Sequence, residues 1–500
     1  MSRSTITTMI TTEPQTIPLS ELTERCRRRQ LDWEGLPIRD RLRPVRNLRH
    51  LIVRESKRLC DAVYKDLGKP SDEALAGEIL PLAEACKFLE RRAARVLRSR
   101  RVTAGQRPLW LWGQTDKVYR RPRGIVGIIG TWNYPVFLNG VQLVQGLTAG
   151  NGVIWKPSEL GPTSANVIAE MLERAGYPAD LIHVLPATRE AGAALANADV
   201  DHVVFTGSSG TGRRLAETLG RRLISSTMEL SGCDAMFVLE DADVNLAAQA
   251  AWFSATANRG QTCISSRRAF VHRSVYESFI DTIRPWAAAA APMPLALESQ
   301  AKQAERLVHE AVSEGAFAIG GTRSDRNGDP MACSPTVVAD AKATMAVCQE
   351  ASFAPIFAVL PFERVEDALR MDASCSYGLG ASIFTGSPAR AAELARHLRV
   401  GMVAINDVIL PTAHPATPFG GRRESGWGVT QGAEGLLEMT IPQVVSIRSG
   451  KSRPHYLNAQ GKPFLSAEGF LGMLEWGHAS SFGERFAGLR RMIRAMRGKT

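Results

Sequence analysis

The chain has 500 residues, 44% hydrophobic and 22% charged, which excludes a disordered chain, a collagen-like fibre and a small disulfide scaffold. No apolar run approaches the roughly 20 residues that span a bilayer; the best, Gly124–Gly130, is far too short. The net charge of +11 is unevenly placed, because residues 449–500 carry nine Lys or Arg against three acids. With the excess charge concentrated in the tail and no aromatic platform interleaved with it, nucleic acid is not an expected partner.

The Thr-rich start lacks the apolar core of a secretory signal, and residues 1–19 read as a flexible polar lead. An intracellular, cytoplasmic protein is therefore expected. The eight cysteines are scattered and form no CxxC pair, so free thiols are expected and a metal site is not. From Leu19 to about Leu97 the periodicity is helical, with stripes such as Leu48, Leu51, Ile52 and Leu59. Leu109–Trp112 and Val118–Tyr119, closed by Arg121-Pro122-Arg123-Gly124, predict two short strands in a hairpin.

From residue 124 short apolar strands alternate with helices. Strands are predicted at Ile125–Ile129, Gly152–Trp155, Leu181–Leu185, His202–Phe205, Met228–Leu230 and Met236–Leu239, with helices at Val141–Leu147, Ser164–Ala175 and Gly212–Leu219. Continuously apolar strands joined by helices indicate a parallel sheet covered on both faces. The rhythm resumes with a helix at Leu246–Ala257, a strand at Ala269–His272 and a helix from Val275. Later strands are predicted at Phe317–Ile319, Thr336–Val338, Ala381–Phe384 and Met402–Ile405. The fold class is α/β, with two units and a seam near 229–245.

Four segments have the residue types for chemistry. Gly207-Ser208-Ser209-Gly210-Thr211-Gly212 follows a strand and opens a helix, which suits a phosphate at a helix N-terminus and equally suits a tight turn. Lys156-Pro157-Ser158-Glu159 ends a strand, where open α/β sheets bind ligands, although a solvated turn reads the same way. Gly260-Gln261-Thr262-Cys263 places a cysteine among small and polar neighbours that leave room for a substrate; a lone cysteine is otherwise a buried thiol. Met228-Glu229-Leu230 sets a carboxylate in apolar surroundings that raise its pKa, as suits a general base, and a salt-bridged strand end is the alternative.

These segments, with Gly130-Thr131-Trp132-Asn133-Tyr134-Pro135, Phe205-Thr206-Gly207-Ser208, Glu229-Leu230-Ser231-Gly232 and Pro418-Phe419-Gly420-Gly421, resemble the aldehyde dehydrogenase superfamily in order and spacing over roughly residues 20–448. Asn133-Tyr134-Pro135 and Ile405-Asn406-Asp407-Val408-Ile409 look most like its fatty-aldehyde branch. The resemblance implies a Rossmann-type cofactor domain over 20–228, carrying a bridging hairpin at 106–122. It further implies an α/β catalytic domain over 229–410, a return to the cofactor domain with a late bridging strand over 411–448, and a basic tail at 449–500. It also implies NAD(P)-dependent oxidation of an aldehyde, with NAD and NADP both open, and a homodimer. Cys263 is then the nucleophile, Asn133 the oxyanion donor and Glu229 the base that activates water. Trp132, Lys156, Ser158, Glu159, Gly207, Ser208, Gly212, Glu350 and Phe353 would bind the dinucleotide, and Tyr134 and Phe419 the substrate. Glu350 stands one residue before the position of the family's ribose-gripping Glu, which is Ala351 here, and is expected to reach the ribose from there. Glu229 disfavours the CoA-acylating variant of the reaction, and the retained Asn133, Glu229 and Cys263 disfavour an idle fold used only for binding.

The tail adds one expectation. Phe482, Phe486, Leu489, Ile493 and Met496 recur at helical spacing among Arg485, Arg490, Arg491, Arg494, Arg497 and Lys499. This is the pattern of a basic amphipathic helix lying on a membrane surface, or of one docked on protein.

Overall fold

Two compact units make up the protein in this computed structural model, which describes residues 17–108, 111, 113–321, 329–451, 453, 455–456, 461 and 465–497. The larger unit runs to Ser99 and resumes over Tyr119–Gln443; the smaller holds Arg100–Val118 and the chain from Val444 onward.

The larger unit begins with helices Leu19–Glu34, Ile38–Arg54, Ser56–Leu67 and Ser71–Ala74, the first three burying apolar residues that recur on one face. Val45, Leu48, Leu51 and Ile52 of the second are buried. Pro81 then shapes the chain. It has no N–H to donate to the carbonyl four residues back, and the preceding turn widens over Leu75–Ile79 so that Leu80 N–H bonds Leu75 O, a π turn. That turn buries Glu78 beside Ile79 before helix Leu80–Val96 proceeds.

Two sheets follow within this unit. The first has six strands in the order Gly426–Trp427, Ser225–Glu229, His202–Thr206, Ile125–Ile129, Gly152–Lys156 and Ile182–Val184. All pair in parallel except Gly426–Trp427. Ile125–Ile129 lies at the centre, with its successors running outward first on one side and then on the other. That reversal leaves a crevice at the carboxyl ends of the strands. The second sheet has seven strands, ordered Phe317–Gly320, Thr336–Ala339, Ile356–Phe362, Ser266–His272, Asp234–Val238, Gly380–Phe384 and Met402–Ile405. Ile125–Ile129, Gly152–Lys156, Asp234–Val238 and Gly380–Phe384 are buried throughout, as strands covered on both faces must be. Only residues 230–233 separate the last parallel strand of the first sheet from the opening strand of the second.

Several elements differ from the sequence reading, among them one inner strand and the expected hairpin. Ile356–Phe362, an inner strand of the second sheet, was not predicted, because Pro361 and the adjoining loop motif mask its apolar run. Val118–Tyr119 lies in strand Gln114–Pro122, whose described partners are Arg100–Arg101 and Thr440–Arg448. Leu109, Trp110 and Trp112 of the expected hairpin lie outside the described residues, as does the lead up to residue 16.

In the smaller unit the basic segment forms a helical hairpin, Ala467–His478 and Phe482–Met496, rather than one isolated helix. Ser481 caps the second helix by accepting from Glu484 N–H. Gly472 and Gly488 allow the backbones to touch: a Cβ on Gly488 would stand 2.6 Å from Trp476 N and 2.8 Å from Gly472 O. Gly488 is therefore a packing requirement. Among the described residues, no helix is long and apolar enough to cross a membrane.

Candidate active site

A cleft of about 830 Å³ opens at the carboxyl ends of the first sheet's strands. Gly130–Asn133 follow Ile125–Ile129; Lys156, Ser158 and Glu159 close or follow Gly152–Lys156; Gly207 and Ser208 follow His202–Thr206; and Glu229 ends Ser225–Glu229. Cys263, Phe353 and Phe419 line the same cleft from loops of the second half of the chain. The fold thus brings together residues spread over nearly 300 positions.

One end of the cleft suits a dinucleotide. Lys156, almost wholly buried, donates from Nζ to Glu159 Oε1 at 2.7 Å, so the pair presents one ammonium and one carboxylate to a ligand. Ser208 caps helix Ser209–Arg221 by accepting from Thr211 N–H, and Gly207, Ser208 and Thr211 line the cleft at that helix start. Gly207 is required, since a Cβ there would stand 2.5 Å from Phe205 Cζ. Gly212 has a packing role: a Cβ on it would meet Leu230 Cδ2 at 2.6 Å. Arg189 and Arg214 also line the cleft, and no sequence motif had marked either. Trp132 and Phe353 meet edge to face at 6.0 Å and form an aromatic frame.

Glu350 corrects the sequence reading, for it does not line the cleft. Its carboxylate is drawn to Arg306 Nη2 at 2.6 Å, with Gln303 Nε2 at 3.3 Å, because helix Glu298–Ser313 presents both donors to it. Ala351, Gln300 and Gln303 face the cleft where Glu350 was expected. Tyr134 is also not a cleft residue. Its hydroxyl bonds Thr262 Oγ1 at 2.8 Å, and Lys69 Nζ sits over its ring at 4.2 Å.

The other end is built around Cys263, which is half-buried. The turn before it holds three successive left-handed residues, Asn258, Arg259 and Gly260, with φ of 49°, 58° and 72°. Burial pushes the thiol up to about 12, with the carboxylates of Asp234 and Glu229 adding to the effect. The backbone N–H groups of Ile264 and Cys263 oppose it. Asn133 Nδ2 donates one proton to Gln261 O at 3.0 Å while its Oδ1 accepts from Thr131 Oγ1 at 2.8 Å. An amide nitrogen has two N–H bonds, so a second remains for a ligand oxygen. Glu229 is buried and its carboxyl is raised by desolvation. Thr430 Oγ1, Thr206 Oγ1 and Gln142 Nε2 hydrogen-bond it and partly offset that rise. Thr430 lies 201 positions from Glu229, and nothing local in the sequence could have revealed it. A soft nucleophile, an amide donor and a buried acid with raised pKa are the groups needed for addition to a carbonyl and hydrolysis of the adduct.

Comparisons with known proteins identify relatives of this chain. The model of the aldehyde dehydrogenase family matches residues 13–445. A 4,4'-diapolycopene aldehyde oxidase of Methylomonas sp is 33% identical over 459 residues, 89% of this chain and 85% of the relative. An aldehyde dehydrogenase of Mycobacterium tuberculosis solved with NAD+ has a TM-score of 0.81 at 26% identity, covering 88% of this chain and 92% of that one. An NADP-dependent enzyme of E. coli gives 0.81 at 25% identity, covering 86% and 90%.

A substitution at Gly260 tests the strained turn. Its φ is positive, and a Cβ there would lie 2.3 Å from Ala354 O. Gly260→Ala should lower unfolding stability by about 2 kcal/mol or more, from the left-handed conformation and the backbone clash together. Thermal and denaturant melts measure this, and an unchanged midpoint would contradict the strained geometry.

Proposed function

The chain belongs to the aldehyde dehydrogenase family, and on that premise we propose that it oxidises a hydrophobic aldehyde to its carboxylic acid through a covalent adduct on Cys263. The arrangement that carries this proposal is the convergence of Cys263, the Asn133 amide and the buried Glu229 in one cleft. The Cys263 thiolate adds to the aldehyde carbon, and the carbonyl electron pair moves onto oxygen. The free N–H of Asn133 and the backbone N–H of Cys263 stabilise that oxyanion. A bound dinucleotide would supply the acceptor for the hydride that leaves the carbon, so that a thioester would remain on Cys263. Glu229 takes a proton from water, which adds to the thioester carbon. The carbon–sulfur bond then breaks, returning the thiolate and releasing the acid.

Lys156, Ser158, Glu159, Gly207 and Ser208 fit a dinucleotide, with the Lys156–Glu159 pair suited to ribose hydroxyls. We assign NAD as the preferred cofactor because the Glu159 carboxylate repels a 2′-phosphate. Arg189 and Arg214 nearby support acceptance of NADP as well. The aromatic walls formed by Trp132, Phe353 and Phe419 favour an apolar substrate, in line with a relative named for a diapolycopene aldehyde.

A homodimer is proposed through strand Thr440–Arg448, which lies at a sheet edge and exposes Ile441, Val444, Val445 and Ile447. Contact with an anionic membrane surface is proposed through the helical hairpin. It exposes Leu471, Leu474, Phe482 and Phe486, with Phe482 85% exposed, and its second helix carries Arg485, Arg490 and Arg494.

Three tests follow from these assignments. Cys263→Ala should abolish oxidation of benzaldehyde and leave NADH binding intact. Glu229→Gln should leave a burst of NADH without sustained turnover. The wild-type burst rate should climb from neutral to alkaline pH, because the raised thiol pKa leaves little thiolate at neutrality. Sustained turnover in either variant would refute the covalent route.

Glu159→Ser should raise kcat/KM for NADP by about tenfold and change that for NAD much less. Steady-state kinetics with both cofactors decide this, and an unchanged NADP constant would show that Glu159 does not discriminate.

Phe482→Ser with Phe486→Ser should abolish co-sedimentation with phosphatidylserine vesicles while benzaldehyde turnover persists. Vesicle binding that survives both substitutions would rule out the hairpin face as the contact.

A further inference from the structure

We propose that the buried ion pair Lys69–Glu78 is a positioning device for the oxyanion donor Asn133. The inference rests on the reaction proposed above. Both side chains are 0% exposed, and Lys69 Nζ meets Glu78 Oε1 at 2.7 Å. A pair so dry adds little net stability, since desolvation of both ions offsets their attraction. What distinguishes it is where its remaining bonds go.

Lys69 Nζ also donates to Asn133 O at 2.9 Å, and Glu78 Oε2 accepts from Val136 N–H at 2.8 Å. One ion pair therefore grips both ends of the segment Asn133–Val136. The ammonium lies over the Tyr134 ring at 4.2 Å, and that ring's hydroxyl reaches Thr262, next to Cys263. A second polar group converges on the same carbonyl: Asn258 Nδ2 donates to Asn133 O at 3.0 Å. With its backbone held at both ends and one side-chain N–H fixed on Gln261 O, Asn133 has a single direction left for the second N–H. Neither Lys69 nor Glu78 lines the cleft, so neither can touch a substrate. Their action passes through Asn133. A displacement of that amide by about 1 Å costs up to about 100-fold in rate.

The π turn makes this possible. The extra residue it takes up turns Glu78 inward, where a regular helix would shift it around the axis. The same stretch reaches the nucleophile's turn as well, for Glu73 Oε1 accepts from Asn258 N–H at 2.6 Å.

The test compares Lys69→Met/Glu78→Met with wild type, Asn133→Ala and the triple variant. Replacing both ions by apolar groups of similar size preserves folding better than removing one. Glu78→Gln, which keeps an acceptor for Val136 N–H, repeats the comparison should the double variant fail to fold. The burst rate with benzaldehyde should fall about 10- to 100-fold while NADH affinity stays within about twofold. The pair's removal should slow Asn133→Ala no further, because the two changes act through one group. Amide exchange over residues 131–136 should accelerate in the variant. A burst rate equal to wild type, or a loss that multiplies with that of Asn133→Ala, would overturn the proposal. If wild-type protein itself gives no burst with any aldehyde, the reaction proposed above falls, and the exchange of residues 131–136 still decides whether the pair holds the loop.

Discussion

The turn Asn258-Arg259-Gly260 is the constraint on which the site depends. Three successive left-handed residues would revert to ordinary backbone if left alone, since the two with side chains cost roughly 1–2 kcal/mol each. The surroundings over-determine the turn. Glu73 holds Asn258 N–H, the Arg259 guanidinium donates to Leu67 O at 2.8 Å, and Gly260 sits against Ala354 and Pro355. From below, the buried Arg267 donates to Ala354 O at 2.7 Å and to the carbonyls of Gly260 and Thr262. Burial lowers that guanidinium to about 10, yet it stays a cation. Its charge is spent on backbone carbonyls, which fixes the peptide planes leading into Cys263.

Two layers of the larger unit are joined at this point. The loop after the central strand of the first sheet carries Asn133, and the loop before strand Ser266–His272 carries Cys263. The Asn133 Nδ2 to Gln261 O bond ties them directly. The N-terminal segment contributes Lys69, from the linker at 68–70, with Glu73 and Glu78 from a third direction. The N-terminal segment thus contacts both loops where they meet.

Desolvation raises both the Cys263 thiol and the Glu229 carboxyl. The hydrogen bonds from Thr206, Thr430 and Gln142 hold the Glu229 carboxyl in place and partly offset its rise.

The strand and helix rhythm from residue 124 was legible in the sequence, because strands covered on both faces must be continuously apolar whatever they pack against. Ile125–Ile129, Gly152–Lys156 and His202–Thr206 were recognisable for that reason, and the motif residues Asn133, Glu229 and Cys263 because their spacing matched a known family. Partnership was not legible. Glu350 looked free to reach a ligand until the structure put Arg306 beside it, and the close approach of Gly488 to Gly472 could not be read from the helical periodicity of the tail. Lys69 and Glu78 belong to no motif in the sequence, yet both side chains are fully buried. A charge's environment depends on residues tens to hundreds of positions away, so local composition determines which elements form. Only tertiary packing decides which polar groups lose water, and against which partners.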